Sequence, residues 1–383
     1  MPFLPPPVPA YTVVQSIGVN THIDFNAYGY QNLSVVEAAI RYLGIQRLRD
    51  SASNASDLQT WPQVAHATGA KFDDFIGQTS PADMQTQLAL MPSLARAGAL
   101  DAIEGGNEED DPYPAKLGNS LAVAAQFQQR VHAMGVELKL PVINISFGQG
   151  WTARNNWHGD YDKVGDLSAY ADYANAHTYP VDGQSTDSSI RRLNDDARLA
   201  ATSRPVMTTE IGWNTAGNGA ATQGVVQAVL DGIQNHDAAM YFYSLFDDMS
   251  GKYGLMNPDG SPRPAGKALH DFTTLLADRG GSFTPGSLRY TLSGRIEGDN
   301  VLLMQKFDGS FWLALWNESA GSHQVTVSLG AAASRIAVFD PVTGTSPVSS
   351  EAGANRVTVD LAKNPLLVEI VPTAPGGEGG TGR

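Results

Sequence analysis

Residues 102–111 have the sequence Ala102-Ile-Glu-Gly-Gly-Asn107-Glu108-Glu109-Asp110-Asp111. A short apolar run ends here in two glycines, an amide and four consecutive acids, as a strand ends at a polar loop. The glycines allow close approach of the backbone and leave room for a ligand. The alternative is a solvated acidic turn, since four adjacent carboxylates repel one another.

A second stretch has the same design and reads Pro205-Val-Met-Thr-Thr-Glu210-Ile-Gly-Trp213. Glu210 is an isolated acid among apolar neighbours. Burying such an acid is unfavourable unless it is paired with another group, so its presence indicates a partner or a functional role. If two strands each deliver one Glu to the same end of a sheet, the two carboxylates form a pair. The second stretch therefore favours a functional site over a solvated turn.

Composition restricts the kinds of partner. The chain has 383 residues, enough for one large and one small domain, and a formal net charge of -14. This charge argues against a nucleic acid or an anionic membrane as partner and suits a neutral substrate. The chain contains no cysteine, which excludes disulfides, zinc-thiolate sites and a Cys nucleophile.

The start of the chain bears on localisation. Residues 1–10 are proline-rich and lack a basic segment, so they do not read as a signal peptide. They resemble the mature start of an exported protein, and we expect a secreted or periplasmic protein, with a cytoplasmic one as the alternative. No apolar stretch approaches the roughly 20 residues of a membrane span.

Apolar strand-like runs alternate with helical patterns over about the first 280 residues. Eight strands are predicted at Ser16–His22, Ile45–Arg49, Lys71–Gly77, Leu100–Gly105, Glu137–Ile145, Tyr170–Ala176, Val206–Thr209 and Ala238–Phe246. Eight strand–helix units of this length predict a (β/α)8 TIM barrel over residues 1–280. A doubly wound sheet is the alternative, weakened because no Gly-x-Gly-x-x-Gly motif or phosphate loop opens a helix.

The pattern changes after Gly280-Gly281 to short strands separated by turn residues. Seven are predicted at Ser287–Tyr290, Val301–Lys306, Phe311–Trp316, His323–Leu329, Ala333–Asp340, Arg356–Asp360 and Leu366–Ile370. This spacing indicates an all-β sandwich over residues 281–372. Residues 373–383 are predicted to be a disordered tail or linker.

Polar and aromatic residues cluster at the predicted carboxyl ends of the barrel strands, which meet at one mouth. They are His22, Arg49, Asn107, Glu108, His177, Tyr179, Glu210, Asp247 and Asp248, with Trp151, Trp157 and Trp213 in adjoining loops. Such a set suits a sugar, because aromatic faces stack on a pyranose while carboxylates and amides bind its hydroxyls. Two carboxyls can then cleave a glycosidic bond.

An Asn-Glu pair after the fourth strand and a Glu after the seventh resemble glycoside hydrolase clan A. The resemblance implies that Glu108 is the general acid/base, that Glu210 is the nucleophile and that Asn107 binds the sugar 2-hydroxyl. Arg49 resembles the second-strand arginine of the clan, and Tyr179 the sixth-strand tyrosine that hydrogen-bonds the nucleophile. A barrel followed by a small sandwich is similar to the family 39 enzymes.

The chain departs from this resemblance at the eighth strand. Many clan members have Tyr-Trp-x-Phe there, whereas this chain has Tyr243-Ser244-Leu245-Phe246. The difference concerns the stacking platform for the sugar, and therefore sugar specificity rather than mechanism.

Several residues admit another reading. Glu109 is the next candidate for the acid, Arg49 could form a surface pair with Asp50, and His22, His177 and Tyr179 could pack at strand ends. Trp151 and Trp157 are interpreted as a substrate platform. Trp312 and Trp316 alternate along a predicted sandwich strand, which indicates core or inter-domain packing. Asp247 and Asp248 lack clear metal-ligand spacing, so we predict a substrate or structural role and neither metal nor cofactor.

The predicted protein is a monomeric retaining glycosidase that acts on a carbohydrate. Its carboxyl groups should lie about 5–5.5 Å apart, and Glu108 should titrate above Glu210. Aromatic loops favour endo action on a β-linked bacterial exopolysaccharide or plant glycan, with an exo-acting β-xylosidase or β-glucosidase as alternative. A non-catalytic carbohydrate-binding protein is a rival, and a barrel lyase or aldolase is weakened by the absence of lysine at these strand ends.

Overall fold

The computed structural model describes residues 6–25, 27–77, 81–110, 120–148, 159–180, 184–214, 220–278, 283–318 and 321–373. The chain forms two compact units. Residues 15–270 make up one, and residues 1–14 together with 271–383 make up the other.

Eight parallel strands form the first unit's sheet. They are β2 (Ile17–Asn20), β3 (Arg47–Asp50), β4 (Lys71–Ile76), β5 (Leu100–Gly106), β6 (Val142–Ile143), β7 (Ala174–Thr178), β8 (Val206–Ile211) and β9 (Met240–Phe242). Their order is β6-β5-β4-β3-β2-β9-β8-β7, so the first barrel strand, β2, pairs with the last, β9. A bridge between Ile143 and Tyr173 joins the two ends of this order. The predicted TIM barrel is confirmed.

Helices follow seven of the eight barrel strands as the apolar spacing predicts, whereas the described residues between β6 and β7 contain only the short 3-10 helix Ser168–Tyr170 in place of an eighth α-helix. These helices are α2 (Leu33–Leu43), α3 (Asp57–Thr68), α4 (Pro81–Arg96), α5 (Leu121–Leu138), α6 (Thr186–Ala200), α7 (Ala220–Gln234) and α8 (Pro264–Leu276). In α2 the buried side chains recur at helical spacing, and the helix ends at Gly44, whose φ of 69° suits glycine. The strand predicted from Glu137 is shorter in the structure, because α5 runs to Leu138 and β6 has two residues. None of the described helices is long and apolar enough to cross a membrane.

The second unit is built from two sheets. Its strands are β1 (Val8–Pro9), β10 (Tyr290–Ser293), β11 (Asp299–Gln305), β12 (Phe311–Asn317), β13 (His323–Leu329), β14 (Ala333–Phe339), β15 (Ser349–Ala352), β16 (Arg356–Leu361) and β17 (Leu366–Pro372). One sheet has the order β1-β11-β12-β17-β14-β15 and the other β10-β13-β16. The predicted all-β sandwich is confirmed.

Three parts of this unit differ from the sequence expectation. The strand predicted at Ser287–Tyr290 begins only at Tyr290 and runs to Ser293 as β10. The proline-rich lead contributes β1, which pairs in parallel with β11, and continues into helix α1 (Ala10–Gln15). Strand β15 was not predicted, because all four of its residues are exposed and the segment lacks the apolar alternation of a half-buried strand. Trp312 and Trp316 are buried, as expected for core residues.

The barrel interior changes character along its axis. An apolar cluster contains Ala102, Ile143, Met207, Ala239 and Tyr241. The Tyr241 ring fits only because residue 18 is glycine: a Cβ there would lie 2.3 Å from the ring. Further along the strands the buried residues become polar, and this polar layer carries the candidate site.

Candidate active site

Glu210 lies near the end of β8 with both carboxylate oxygens engaged. Oε1 accepts a hydrogen bond from Nη1 of Arg49 at 2.7 Å, and Oε2 accepts one from the Tyr179 hydroxyl. The side chain is 7% exposed. The acid is therefore held in one orientation by two neutral or cationic donors within a nearly closed environment.

Arg49 on β3 is fully buried and organises the polar layer. Its guanidinium donates all five of its hydrogens: two to Glu104, and one each to Asn20, Asn107 and Glu210, over 2.7–2.8 Å. A buried charge with its donors satisfied in this way is rigid. The alternative of a surface pair with Asp50 is wrong, because Asp50 instead accepts from Thr21, Ile23 and Ser51.

Glu108 follows β5 in an unusual backbone conformation, with a φ of 51°. This left-handed conformation costs a non-glycine residue about 1–3 kcal/mol and persists only where the surroundings enforce it. Here the backbone N–H of Glu108 donates to the Ser146 hydroxyl at 3.0 Å. A Cβ at Gly148 would lie 2.6 Å from the carboxyl carbon of Glu108, so the glycine provides the space for this side chain.

His177 on β7 joins the two acids. Its Nδ1 lies 2.9 Å from Oε1 of Glu108 and 3.5 Å from Oε2 of Glu210. A carboxylate oxygen of Glu108 and one of Glu210 lie within 4.8 Å of each other. The structure thus brings together Arg49, Asn107, Glu108, His177, Tyr179 and Glu210, as the sequence predicted.

The electrostatics of the pair are asymmetric. Burial alone would raise the pKa of Glu210, but His177, the Arg49 guanidinium and the Tyr179 hydroxyl outweigh it and lower the pKa. Glu210 is therefore kept ionised. Glu108 is 27% exposed at its side chain, so one acid is enclosed and charged while the other is open to solvent.

Three side chains of the site are close enough together to be considered as metal ligands. Glu108, His177 and Glu210 offer three ligand atoms close enough for one ion. However, the Arg49 guanidinium already binds Glu210, and a fixed cation beside the acids disfavours a second one. Asp247 and Asp248 do not converge either: Asp247 pairs with both terminal nitrogens of Arg263 at 2.6 Å, and Asp248 pairs with His22.

His22 and Asp248 form a second cluster beside the first. Nε2 of His22 lies 2.9 Å from Asp248 and 3.2 Å from the Tyr243 hydroxyl, and its ring stacks on Phe25. Burial alone would lower the pKa of His22, but the surrounding carboxylates raise it. Burial alone would raise the pKa of Asp248, but its hydrogen bonds lower it. The Tyr243 ring meets the Tyr179 ring edge-on, which connects the two clusters.

Of the three candidate tryptophans, Trp213 lies within the described residues. Trp213 packs against α7, where a Cβ at Gly224 would lie 2.8 Å from its indole. It lines a cavity of about 600 Å³ together with Tyr243 and Tyr253. Trp151 and Trp157 lie outside the described residues, so their role stays a prediction.

The acidic run resolves into different environments. Glu109 is 3% exposed and its carboxylate packs over Gly106, so it is not part of the pair. Asp110 accepts from the backbone N–H of Gly148, and Asp111 lies outside the described residues. The expectation that the two glycines leave room for a ligand is wrong: Gln128 and Ile145 fill the space beside Gly105, and Glu109 fills that beside Gly106.

The sequence reading missed the residues that support the pair. Glu104 is buried and accepts two hydrogen bonds from Arg49, and Asn20 and Asn175 extend the network. One signal was present: Glu104 is a carboxylate inside an apolar strand, which requires a buried partner. The two asparagines have no comparable signal, because amides are common at strand ends.

Comparison with known proteins establishes the fold. No family model and no curated protein sequence matches the chain. Among solved structures, a monomeric β-xylosidase from Caulobacter crescentus CB15 is similar with a TM-score of 0.63 and 14% identity, over 97% of this chain and 98% of that chain.

Two further structures are similar over almost the full length. A family 39 glycoside hydrolase from Bacteroides cellulosilyticus WH2 has a TM-score of 0.61 and 14% identity, over 95% of this chain and 82% of that chain. CelM2, a bifunctional glucanase-xylanase from a metagenome library, has a TM-score of 0.62 and 11% identity, over 96% and 97%. The shared feature is a barrel combined with an all-β region.

Proposed function

We propose that the protein is a retaining glycoside hydrolase with Glu210 as nucleophile and Glu108 as general acid/base. The observation that carries this proposal is the approach of their carboxylate oxygens to within 4.8 Å. Retaining glycosidases hold their two carboxyl groups about 5–5.5 Å apart, whereas inverting ones need about 6.5–9.5 Å for a water molecule. The short separation supports double displacement and argues against a non-catalytic carbohydrate-binding protein.

In the first step Glu210 attacks the anomeric carbon as Glu108 donates a proton to the leaving oxygen. Arg49 and Tyr179 keep the nucleophile ionised and aimed, so little reorganisation is needed when the bond forms. As charge leaves Glu210 in the glycosyl-enzyme, these donors remain to stabilise its return as leaving group.

In the second step Glu108, now a carboxylate, takes a proton from water as the water attacks the glycosyl-enzyme. Its greater exposure suits this role, because both the leaving group and the incoming water pass on this side. The oxygen of Asn107 accepts from Arg49, which turns its NH2 group into the part suited to donate to the sugar 2-hydroxyl.

We further propose a β-linked polysaccharide, a bacterial exopolysaccharide or plant glycan, as substrate of an endo-acting monomer in a secreted or periplasmic setting. The activities of two similar structures, a β-xylosidase and a glucanase-xylanase, support β-linked xylose or glucose units. The monomeric xylosidase supports a monomer. Exo action on β-xylosides or β-glucosides is the second candidate, favoured by that same xylosidase.

The test combines a substrate panel with azide rescue. Wild type is expected to release oligosaccharides from a β-linked xylan or glucan, and Glu210→Gln to be slower by about 10⁴-fold or more. With an aryl β-glycoside and azide, Glu210→Ala should yield the α-glycosyl azide, and Glu108→Ala the β-glycosyl azide. Monosaccharide as sole product would indicate exo action. Full activity of the Glu210 variants would refute the assignment.

A further inference from the structure

We propose that Thr209 and Asn175 are positioning residues that hold His177 with a proton on Nε2, so that its Nδ1 shares one proton with Glu108. The consequence for catalysis rests on the proposed function. The assignment of hydrogens itself follows from the network alone, and it can be traced from the one place where donor and acceptor are unambiguous.

That place is the Asn175 side chain on β7. Its Nδ2 lies 2.9 Å from Oε1 of Glu104 and 2.9 Å from the carbonyl oxygen of Asn144. A carbonyl oxygen only accepts, so the amide nitrogen must face it. Oδ1 of Asn175 therefore faces the Thr209 hydroxyl, 2.6 Å away, and Thr209 has to donate its only hydrogen there.

With that hydrogen used, Thr209 can only accept from His177, whose Nε2 lies 3.1 Å from the hydroxyl oxygen. The other group near Nε2 is Nη2 of Arg49 at 3.5 Å. Both hydrogens of this nitrogen are already donated, to Glu104 and Asn107. Among the described residues a bare Nε2 would thus face no available donor, so we assign a proton to this nitrogen.

The opposite ring nitrogen, Nδ1, then shares a proton with Glu108 whether His177 is neutral or charged. If His177 is neutral, Nδ1 accepts from a protonated Glu108. If His177 is charged, Nδ1 donates to the Glu108 carboxylate, 2.9 Å away, and also faces Glu210 at 3.5 Å. Either way one proton lies between Nδ1 and Glu108. The neutral tautomer with the proton on Nδ1, which would leave Glu108 without a proton, is disfavoured by Thr209.

The test exchanges the Thr209 hydroxyl for a methyl group. Thr209→Val should let His177 adopt the tautomer with hydrogen on Nδ1 and so withdraw the proton shared with Glu108. The alkaline limb of kcat/KM against pH should move down by about 0.5–1 pH unit, the effect of one ordinary hydrogen bond. Thr209→Ser should restore the wild-type profile.

The matched control is Thr178→Val. Thr178 is also fully buried, next to His177, and its hydroxyl has no hydrogen-bond partner within the described part of the chain. Thr178→Val also replaces a hydroxyl by a methyl group but leaves the hydrogen bonds between Asn175, Thr209 and His177 intact. The pH profile should therefore stay as in wild type. An equal shift in both variants would show a general effect of buried substitutions and overturn the proposal.

A second readout needs no activity. The ¹⁵N shifts of the His177 ring, assigned by their loss in His177→Asn, distinguish a protonated from a bare nitrogen. We expect Nε2 protonated in wild type and a tautomer change in Thr209→Val. A wild-type ring with bare Nε2, or an unchanged ring in the variant, overturns the positioning role. If the spectra are as expected but the protein is inactive on every sugar, the proposed function is refuted while the positioning of His177 by Thr209 and Asn175 is supported.

Discussion

The polar layer of the barrel and the core of the sandwich are buried to the same degree but built from opposite materials. Around Arg49 the barrel encloses Glu104, Glu210 and two asparagines, each hydrogen-bonded to a partner from another strand. The sandwich core consists of aliphatic and aromatic side chains such as Leu313, Leu315 and Val368.

The two regions therefore contribute differently to the free energy of folding. Burying apolar side chains is favourable by itself, so the sandwich core stabilises the unit with few directional requirements. Burying charges is unfavourable unless every donor and acceptor is matched. In the barrel the desolvation of these charges is offset by their matched partners. The partners fix the orientation of Glu210 and keep it ionised, which an apolar core cannot do.

The largest effect is expected from removing the positive charge of Arg49 at the centre of the polar layer. Arg49→Met leaves the Glu104 and Glu210 carboxylates buried without their guanidinium. The free energy of unfolding should fall by about 3–5 kcal/mol, and glycosidase activity should be lost. Urea unfolding of the barrel and kcat/KM on an aryl glycoside measure the two effects.

A double variant separates charge from packing in this prediction. Glu104→Gln added to Arg49→Met removes one of the stranded charges and should recover part of the lost stability but none of the activity. If the single variant is as stable as wild type, the guanidinium is not what keeps the buried acids in place.

The sandwich core should respond to substitution in stability only. Leu313 is fully buried, and Leu313→Ala should lower the free energy of unfolding by about 2–5 kcal/mol through lost burial and a cavity. The kcat/KM of the folded protein should not change. Val348→Ala is the matched control, because Val348 is exposed and its loss should have an effect below about 0.5 kcal/mol.

The smallest effect is expected from removing a single hydrogen bond, the one that Tyr179 donates to Glu210. Tyr179→Phe removes one of the groups that lower the pKa of Glu210, so this pKa should rise and the acid limb of kcat/KM should move to higher pH. We expect a shift of about 1–2 pH units, since one hydrogen bond to a charged group contributes about 1.5–3 kcal/mol. Activity at the optimum should fall by about 10- to 100-fold.

Tyr253→Phe is the control for that substitution. The Tyr253 ring packs edge-on against Tyr179, with centroids 5.6 Å apart, but no hydrogen bond joins its hydroxyl to Glu210 within the described residues. Its pH profile should match wild type. A shift there as large as in Tyr179→Phe would mean that ring packing, not the hydrogen bond, sets the ionisation of Glu210.

Much of the fold was readable from the sequence because it depends on local periodicity. The alternation of apolar strands and amphipathic helices predicted the barrel, and short strands after Gly281 predicted the sandwich. The misses have local reasons as well: β15 is exposed along its whole length, and the end of α5 replaced the start of a predicted strand.

The sequence alone also predicts the two candidate acids, because Glu108 and Glu210 each follow an apolar run at a position where parallel strands end together. The resemblance also predicts Arg49 and Tyr179 as their partners, whereas the network that fixes Arg49 itself is visible only in the tertiary structure. Arg49, Glu104 and Asn175 come from strands far apart in sequence, and their side chains meet only when the barrel closes. Hydrogen bonding depends on distance and direction to within fractions of an ångström, and no local pattern of residues contains that information.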